Sequence, residues 1–179
     1  MSKQATAPNA LEDDESLIPP ELAAAVGKEM GTSRARVEAE LVRRMASSFD
    51  VEDPELDQAL ESNDRTYDLP HWAIYSITRP QRIDTPGIDP WSTLIAAEEL
   101  HLVRPLHLDD RLHIDQRIAD VQERIGGRVG HSLFIHLEWR YRLLRKAGGD
   151  PGDGQDEIGE EVARIHHTMA YFRGRHTGE

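Results

Sequence analysis

From residue 133 to residue 143 the chain alternates: Leu133, Ile135, Leu137, Trp139, Tyr141 and Leu143 interleave with Phe134, His136, Glu138, Arg140 and Arg142. A period of two over this length fits a half-buried β-strand and not a helix, whose apolar positions recur every three or four residues. Such a strand needs paired neighbours and a layer to cover its apolar face. Neighbours can be read on both sides. Leu112, Ile114 and Ile118 mark one face of a strand over 111–121, interrupted by Gln116, and Gly126-Gly127 supplies a turn between the two. A last strand over 162–172 buries Ala163, Ile165, Met169 and Tyr171 and exposes Arg164, His166 and Thr168, while an earlier one ends at Leu100 and Leu102 before Pro105. The Gly- and Asp-rich run from Gly148 to Glu157 is too polar to pack, so 147–160 reads as a flexible hairpin extension.

The covering layer comes from the first half. Thr32 or Ser33 can cap a helix over 34–48, with Val37, Leu41, Val42 and Met45 on one stripe. Asp50 to Asp57 is an acidic break around Pro54. Pro70 opens a near-continuous apolar segment through Ile77, which predicts a short buried helix over 70–78, with a strand as the alternative. Residues 79–91, with Pro80, Pro86, Pro90 and Gly87, form a long loop able to cover something. The expected organisation is a flexible acidic tail over 1–16, bearing Glu12 to Glu15, and one domain over 17–176. Two helices followed by four antiparallel strands make it α+β, with helix packed on one sheet face.

Charge and composition narrow the function classes. With 33 acidic against 21 basic residues the net charge is −12, which opposes a phosphate backbone, so no nucleic-acid partner is expected. Arg140, Arg142, Arg145 and Lys146 do cluster. They read as a solvated strand face and its hairpin end, with contact to an anionic group such as the phosphates of coenzyme A as the alternative. There is no cysteine, hence no disulfide, thiolate nucleophile or Cys-based zinc site. No apolar run reaches the ~20 residues that span a bilayer, and residues 1–16 lack the apolar core of a secretory signal. No membrane partner and a cytoplasmic location are the expectations.

Among nine histidines, His101, His107 and His113 share no ligand-like spacing, and the nearby Glu98, Asp109, Asp110 and Asp115 read as ordinary turn or strand residues, so no metal site is expected. His166 and His167 point to opposite strand faces. His167 falls on the apolar one, as a core histidine bonded to backbone or, alternatively, a pocket residue. Neither GxxxxGK[ST] nor GxGxxG occurs, and Gly-x-Ser-x-Gly is absent, so nucleotide and serine-hydrolase chemistry have no support.

The run Glu99-Leu100-His101-Leu102-Val103-Arg104-Pro105-Leu106-His107-Leu108-Asp109-Asp110-Arg111-Leu112 resembles the Arg-Pro to Asp signature of MaoC-like dehydratases, specifically their N-terminal-type domain. Ile118 to Arg124, the alternating strand at 133–143 and the closing strand continue the similarity in order, over about 22–173. The resemblance implies a single hot-dog fold, an antiparallel sheet wrapped round a central helix, here 70–78, with pairing to a second hot-dog chain, identical or different. It also implies reversible dehydration of 3-hydroxyacyl thioesters on coenzyme A or acyl carrier protein, which enter as part of the substrate, with no further cofactor. In active members a carboxylate and a His of an Asp-x-Asn-Pro-apolar-His pattern act as acid and base. Aligned by Pro54, this chain has Val51 for that Asp, Asp53 for Asn and Leu56 for His.

No residue therefore stands out as catalytic, and Asp50, reached by a one-residue slip, Asp53 and His71 are the candidates left. Pro70, His71 and Trp72, at the start of the expected central helix, are the candidate substrate-binding residues. The expectation is a subunit of an enoyl-thioester hydratase or 3-hydroxyacyl-thioester dehydratase whose catalytic pair comes from a partner hot-dog chain. The alternative is a non-catalytic acyl-thioester-binding or structural hot-dog protein. A thioesterase would need a carboxylate on the central helix, and 70–78 contains none.

Overall fold

The computed structural model describes residue 16 and residues 18–77, 85–88, 92–124, 132–146 and 156–172. The expected tail, the Gly126-Gly127 turn, most of the 79–91 loop and residues 147–155 lie outside this set. Five strands form one antiparallel sheet: β1 (Glu29–Arg36), β2 (Ser92–Leu102), β3 (Arg111–Arg124), β4 (Ser132–Lys146) and β5 (Asp156–Phe172), in the order β1-β3-β4-β5-β2. Three α-helices, α1 (Pro20–Ala25), α2 (Ala39–Ser48) and α3 (Pro54–Ser62), and a six-residue 3₁₀ helix η1 (His71–Ser76), complete the described elements.

The alternating run is the middle strand. Leu133, Ile135, Leu137, Trp139 and Tyr141 are all buried, and the register places Tyr141 opposite Ile114 and Trp139 opposite Ile165. Val42 and Ala46 of α2, Leu56 and Leu60 of α3, and Ala73 and Ile74 of η1 belong to the same core. One sheet face thus carries the helices. The other carries charge.

Four expectations are corrected. Residues 34–36 are strand, not helix: Thr32 and Ser33 pair with Asp115 and Ile114, and α2 begins only at Ala39, after Glu38, which makes no side-chain cap. The first strand, Glu-Met-Gly-Thr-Ser-Arg-Ala-Arg, lies at the sheet edge with half-exposed side chains, so no apolar period marks it. The break at Pro54 is the start of α3, since proline's fixed φ and missing N–H suit the first helical position. The expected central helix is one 3₁₀ segment, in keeping with the low helix propensity of Trp72, Ile74 and Tyr75. Finally, 156–160 is not hairpin extension: β5 begins at Asp156, which accepts hydrogen bonds from Arg111 at 2.8 and 2.7 Å and from Arg34 at 2.9 Å and so anchors that end to β3 and β1.

The Arg-Pro to Asp signature is structural. Arg104 donates to Asp110 at 3.0 Å, and the same Asp110 oxygen accepts the His107 N–H at 3.0 Å, closing the turn from β2 into β3. The Val37 N–H donates to the Asp110 carbonyl and the Asp109 N–H to the Val37 carbonyl, both at 2.9 Å, locking this turn to the entry of α2. No described helix is long and apolar enough to cross a membrane.

Candidate functional site

The turn that carries acid and base in the resembling family is used for folding here. Asp53 is the N-cap of α3: one carboxylate oxygen accepts the N–H groups of Glu55 and Leu56, each at 3.1 Å. Leu56, where the His would stand, is 1% exposed and packed in the core. Val51 packs against the same core. Asp50 is exposed at the end of α2, with a left-handed φ of 53°, and its N–H donates to the Ser47 carbonyl.

The other candidates sit at η1. Pro70 precedes it and is half-buried, His71 is exposed, and Trp72 is half-buried with its ring 6.3 Å edge-on from Phe49. Phe49 is itself 56% exposed. It marks a cavity. Met45 and Phe49 from α2, Tyr75 from η1 and Glu98 from β2 line an open pocket of about 380 Å³. Three of the four walls are apolar or aromatic, and the fourth is a carboxylate.

That carboxylate has a histidine beneath it. The register puts Glu98 of β2 directly opposite His167 of β5, on the helix-covered face, and Glu98 Oε2 is in contact with His167 Nε2. Directly opposed side chains of an antiparallel pair share a face with Cβ atoms about 5 Å apart, which makes the contact a consequence of register. Neighbouring strands hold the imidazole in place. Leu137 lies opposite on β4, and the Trp139 ring packs edge-on at 4.7 Å. The His167 side chain is 6% exposed and that of Glu98 28%, so the pair runs from the core to the pocket wall. His167 does occupy the apolar face, as expected, and a carboxylate is in contact with it. Glu98 had no signal of its own beyond its place in the alternation with Leu100 and Leu102.

The opposite sheet face takes up the basic cluster. Arg140 and Arg117 both bond Glu138, at 2.7 and 2.8 Å, Arg142 pairs with Asp115, and Arg145 bonds Glu160 at 2.8 Å. Burial pushes the Glu138 carboxyl up, but hydrogen bonds from Arg117 and Arg140, and their charges, outweigh it and hold the group below its ordinary value of 4.5. These arginines are engaged by carboxylates, and Arg140 and Arg142 border a cavity of about 220 Å³ together with Asp115 and Glu138. Among the described residues no group of three or more His, Asp or Glu side chains converges as metal ligands would.

The family described as "FAS1-like, dehydratase domain region" matches residues 24–142. No curated protein matches the sequence. Among solved structures, the chain is similar to one of the ChsH1–ChsH2 complex from Mycobacterium tuberculosis, at 16% identity and a TM-score of 0.60 over 89% of this chain and 90% of that one. It is also similar to a MaoC-like dehydratase from Rhodospirillum rubrum, at 18% identity and a TM-score of 0.51 over 84% and 94%. The R-hydratase PhaJ1 from Pseudomonas aeruginosa matches at 11% identity and a TM-score of 0.52 over 83% of each chain. The likeness is one of fold, and it makes the α+β sheet with its helices on one face a hot-dog fold.

Proposed function

Because the chain belongs to the family of FAS1-like dehydratase regions, we propose that it is one subunit of an enoyl-thioester hydratase or 3-hydroxyacyl-thioester dehydratase, its site completed by a second hot-dog chain. The observation that carries this reading is the place of the pocket. Met45, Phe49, Tyr75 and Glu98 open beside β2, which ends the sheet and has no strand on its far side among the described residues. Leu94 and Ile95 on that strand are 48% and 56% exposed. A long apolar edge strand is a site for pairing with another chain unless it is protected. A chain docked there would wall the open side of the pocket and enclose an acyl group between apolar surfaces. That the ChsH1–ChsH2 structure is a complex supports a paired assembly.

The turn at Val51 to Leu56 has neither the Asp nor the His of the Asp-x-Asn-Pro-apolar-His pattern in its place, so acid and base would come from a partner carrying that pattern or from other residues of this chain. Met45 also borders a second groove, of about 490 Å³, whose lining includes Glu40, Arg43, Arg44, Ser47 and Ser48. Arg43 is bonded to Glu40 there at 2.9 Å, so Arg44 is the cation in this groove, one wall away from the acyl pocket, that could meet the phosphates of coenzyme A or of a carrier protein's prosthetic arm.

Hydration of a short and a long enoyl-CoA, by the purified chain alone and with each MaoC-like chain of the same cell, tests the proposal. Activity in a mixture, and its loss with Ile95→Lys on the edge strand together with loss of the complex in analytical ultracentrifugation, is the expected result. Acyl-CoA binding without hydration under any pairing would make the protein a binding module instead. No binding at all would overturn the acyl-thioester reading.

A further inference from the structure

We propose that Glu98 and His167 form a proton-transfer pair of this chain's own, facing the pocket of Met45, Phe49 and Tyr75. The inference rests on the acyl-thioester reading for its substrate, but not on the identity of any partner. Its residues stand on β2 and β5, away from the turn before α3.

Three observations carry it. The first is composition: within contact distance are a carboxylate and an imidazole, the two side chains most used to move protons near neutral pH. The second is gradation of burial. A structural ion pair in a core is closed off on all sides, whereas here the histidine is enclosed by Trp139 and Leu137 and the carboxylate reaches the pocket lining. The third is rigidity. Both groups are fixed by strand register, which holds a reacting group more closely than a loop does.

The chemistry balances within the pair. In hydration, the Glu98 carboxylate takes a proton from water as the water oxygen bonds to C3 of the enoyl thioester. The C2=C3 π electrons move to C2 and the thioester oxygen as an enolate. The proton, shared between Glu98 and His167, is then returned to C2, so the pair ends as it began and one water has been added. Dehydration is the reverse. The same pair can remove and replace a C2 proton of a saturated acyl thioester without any net reaction.

That exchange is the test. Butyryl-CoA is incubated in D₂O with the wild-type chain, alone and with each MaoC-like chain of the same cell, and deuterium at C2 is followed by mass spectrometry, while hydration of crotonyl-CoA is measured on the same samples. The expected result is exchange that falls at least ~100-fold in Glu98→Gln, with butyryl-CoA affinity unchanged and one limb of the pH–rate profile removed. His167→Gln should show the same loss. Since His167 is buried, the near-isosteric Glu98→Gln decides if that second variant does not fold. Wild-type protein without exchange, or Glu98→Gln exchanging like wild type, overturns the pair. Hydration that persists in Glu98→Gln would overturn the pair while leaving the hydratase reading intact, whereas absence of acyl-CoA binding would remove the reading itself.

Discussion

Glu138 and Glu98 stand on opposite faces of the same sheet, each against a basic side chain, and their surroundings give them different uses. Glu138 is 3% exposed and held by Arg117 and Arg140, guanidiniums that stay protonated at any physiological pH. Its proton equilibrium is pinned, and the network can only bind or break. Glu98 is in contact with an imidazole and borders an apolar pocket, whereas the His166 imidazole stands 3.7 Å from Glu138 and the space beside Glu138 is lined mostly by charged side chains. A carboxylate–imidazole pair can hold its proton on either group, which an arginine pair cannot do. On this sheet a buried carboxylate with guanidinium partners is a strut, and one with an imidazole partner at a cavity is a working group.

The contrast predicts a division between stability and activity. Glu138→Ala leaves two guanidiniums facing a buried site without their acceptor. Each is about a third exposed, so the cost falls below that of a fully buried broken pair, at about 1–3 kcal/mol. Urea denaturation should show it, with C2 exchange unchanged. Glu98→Gln should lower stability by less than about 1 kcal/mol. The comparison breaks if the two variants trade places. The acid limb sharpens it. Glu138 titrates below its ordinary value of 4.5 in the folded chain, so its stabilisation is full above that value and lost as pH falls through the depressed folded pKa. Stability measured from pH 6 down to pH 3 should therefore fall less steeply in Glu138→Gln than in the wild type.

How much of this could be read from the sequence depends on whether a feature is local. The alternation from Leu133 to Leu143 is local, and it located β4 and its buried face. The Arg104-Pro105 to Asp110 run is local too, and its hydrogen bonds close one turn. The first strand was missed because an edge strand with half-exposed side chains shows no apolar period. Glu98 and His167 each lie on a legible stripe, Glu98 with Leu100 and Leu102, His167 with Ile165 and Met169. Their meeting depends on the register of β2 against β5, which shifts between Ile95 and Ala97, and no single segment encodes that. A polar residue on each of two apolar stripes was the available signal; the pairing was not available.

Asp53 is the third carboxylate to set beside these two, and the smallest effect. It sits at the Asn position of the family's pattern, between the places of its acid and base, and its carboxylate accepts from backbone N–H groups of α3. An N-cap contributes about 1 kcal/mol, and asparagine caps about as well as aspartate. Asp53→Ala should therefore lose about that much stability, while Asp53→Asn, which restores the family's residue type, should stay within ~0.5 kcal/mol of wild type. Neither should change C2 exchange. A drop in exchange with stability retained in Asp53→Asn would mean that this carboxylate, and not only its hydrogen bonds, takes part in the reaction, and would move the working group from the β2–β5 pair back to the turn before α3.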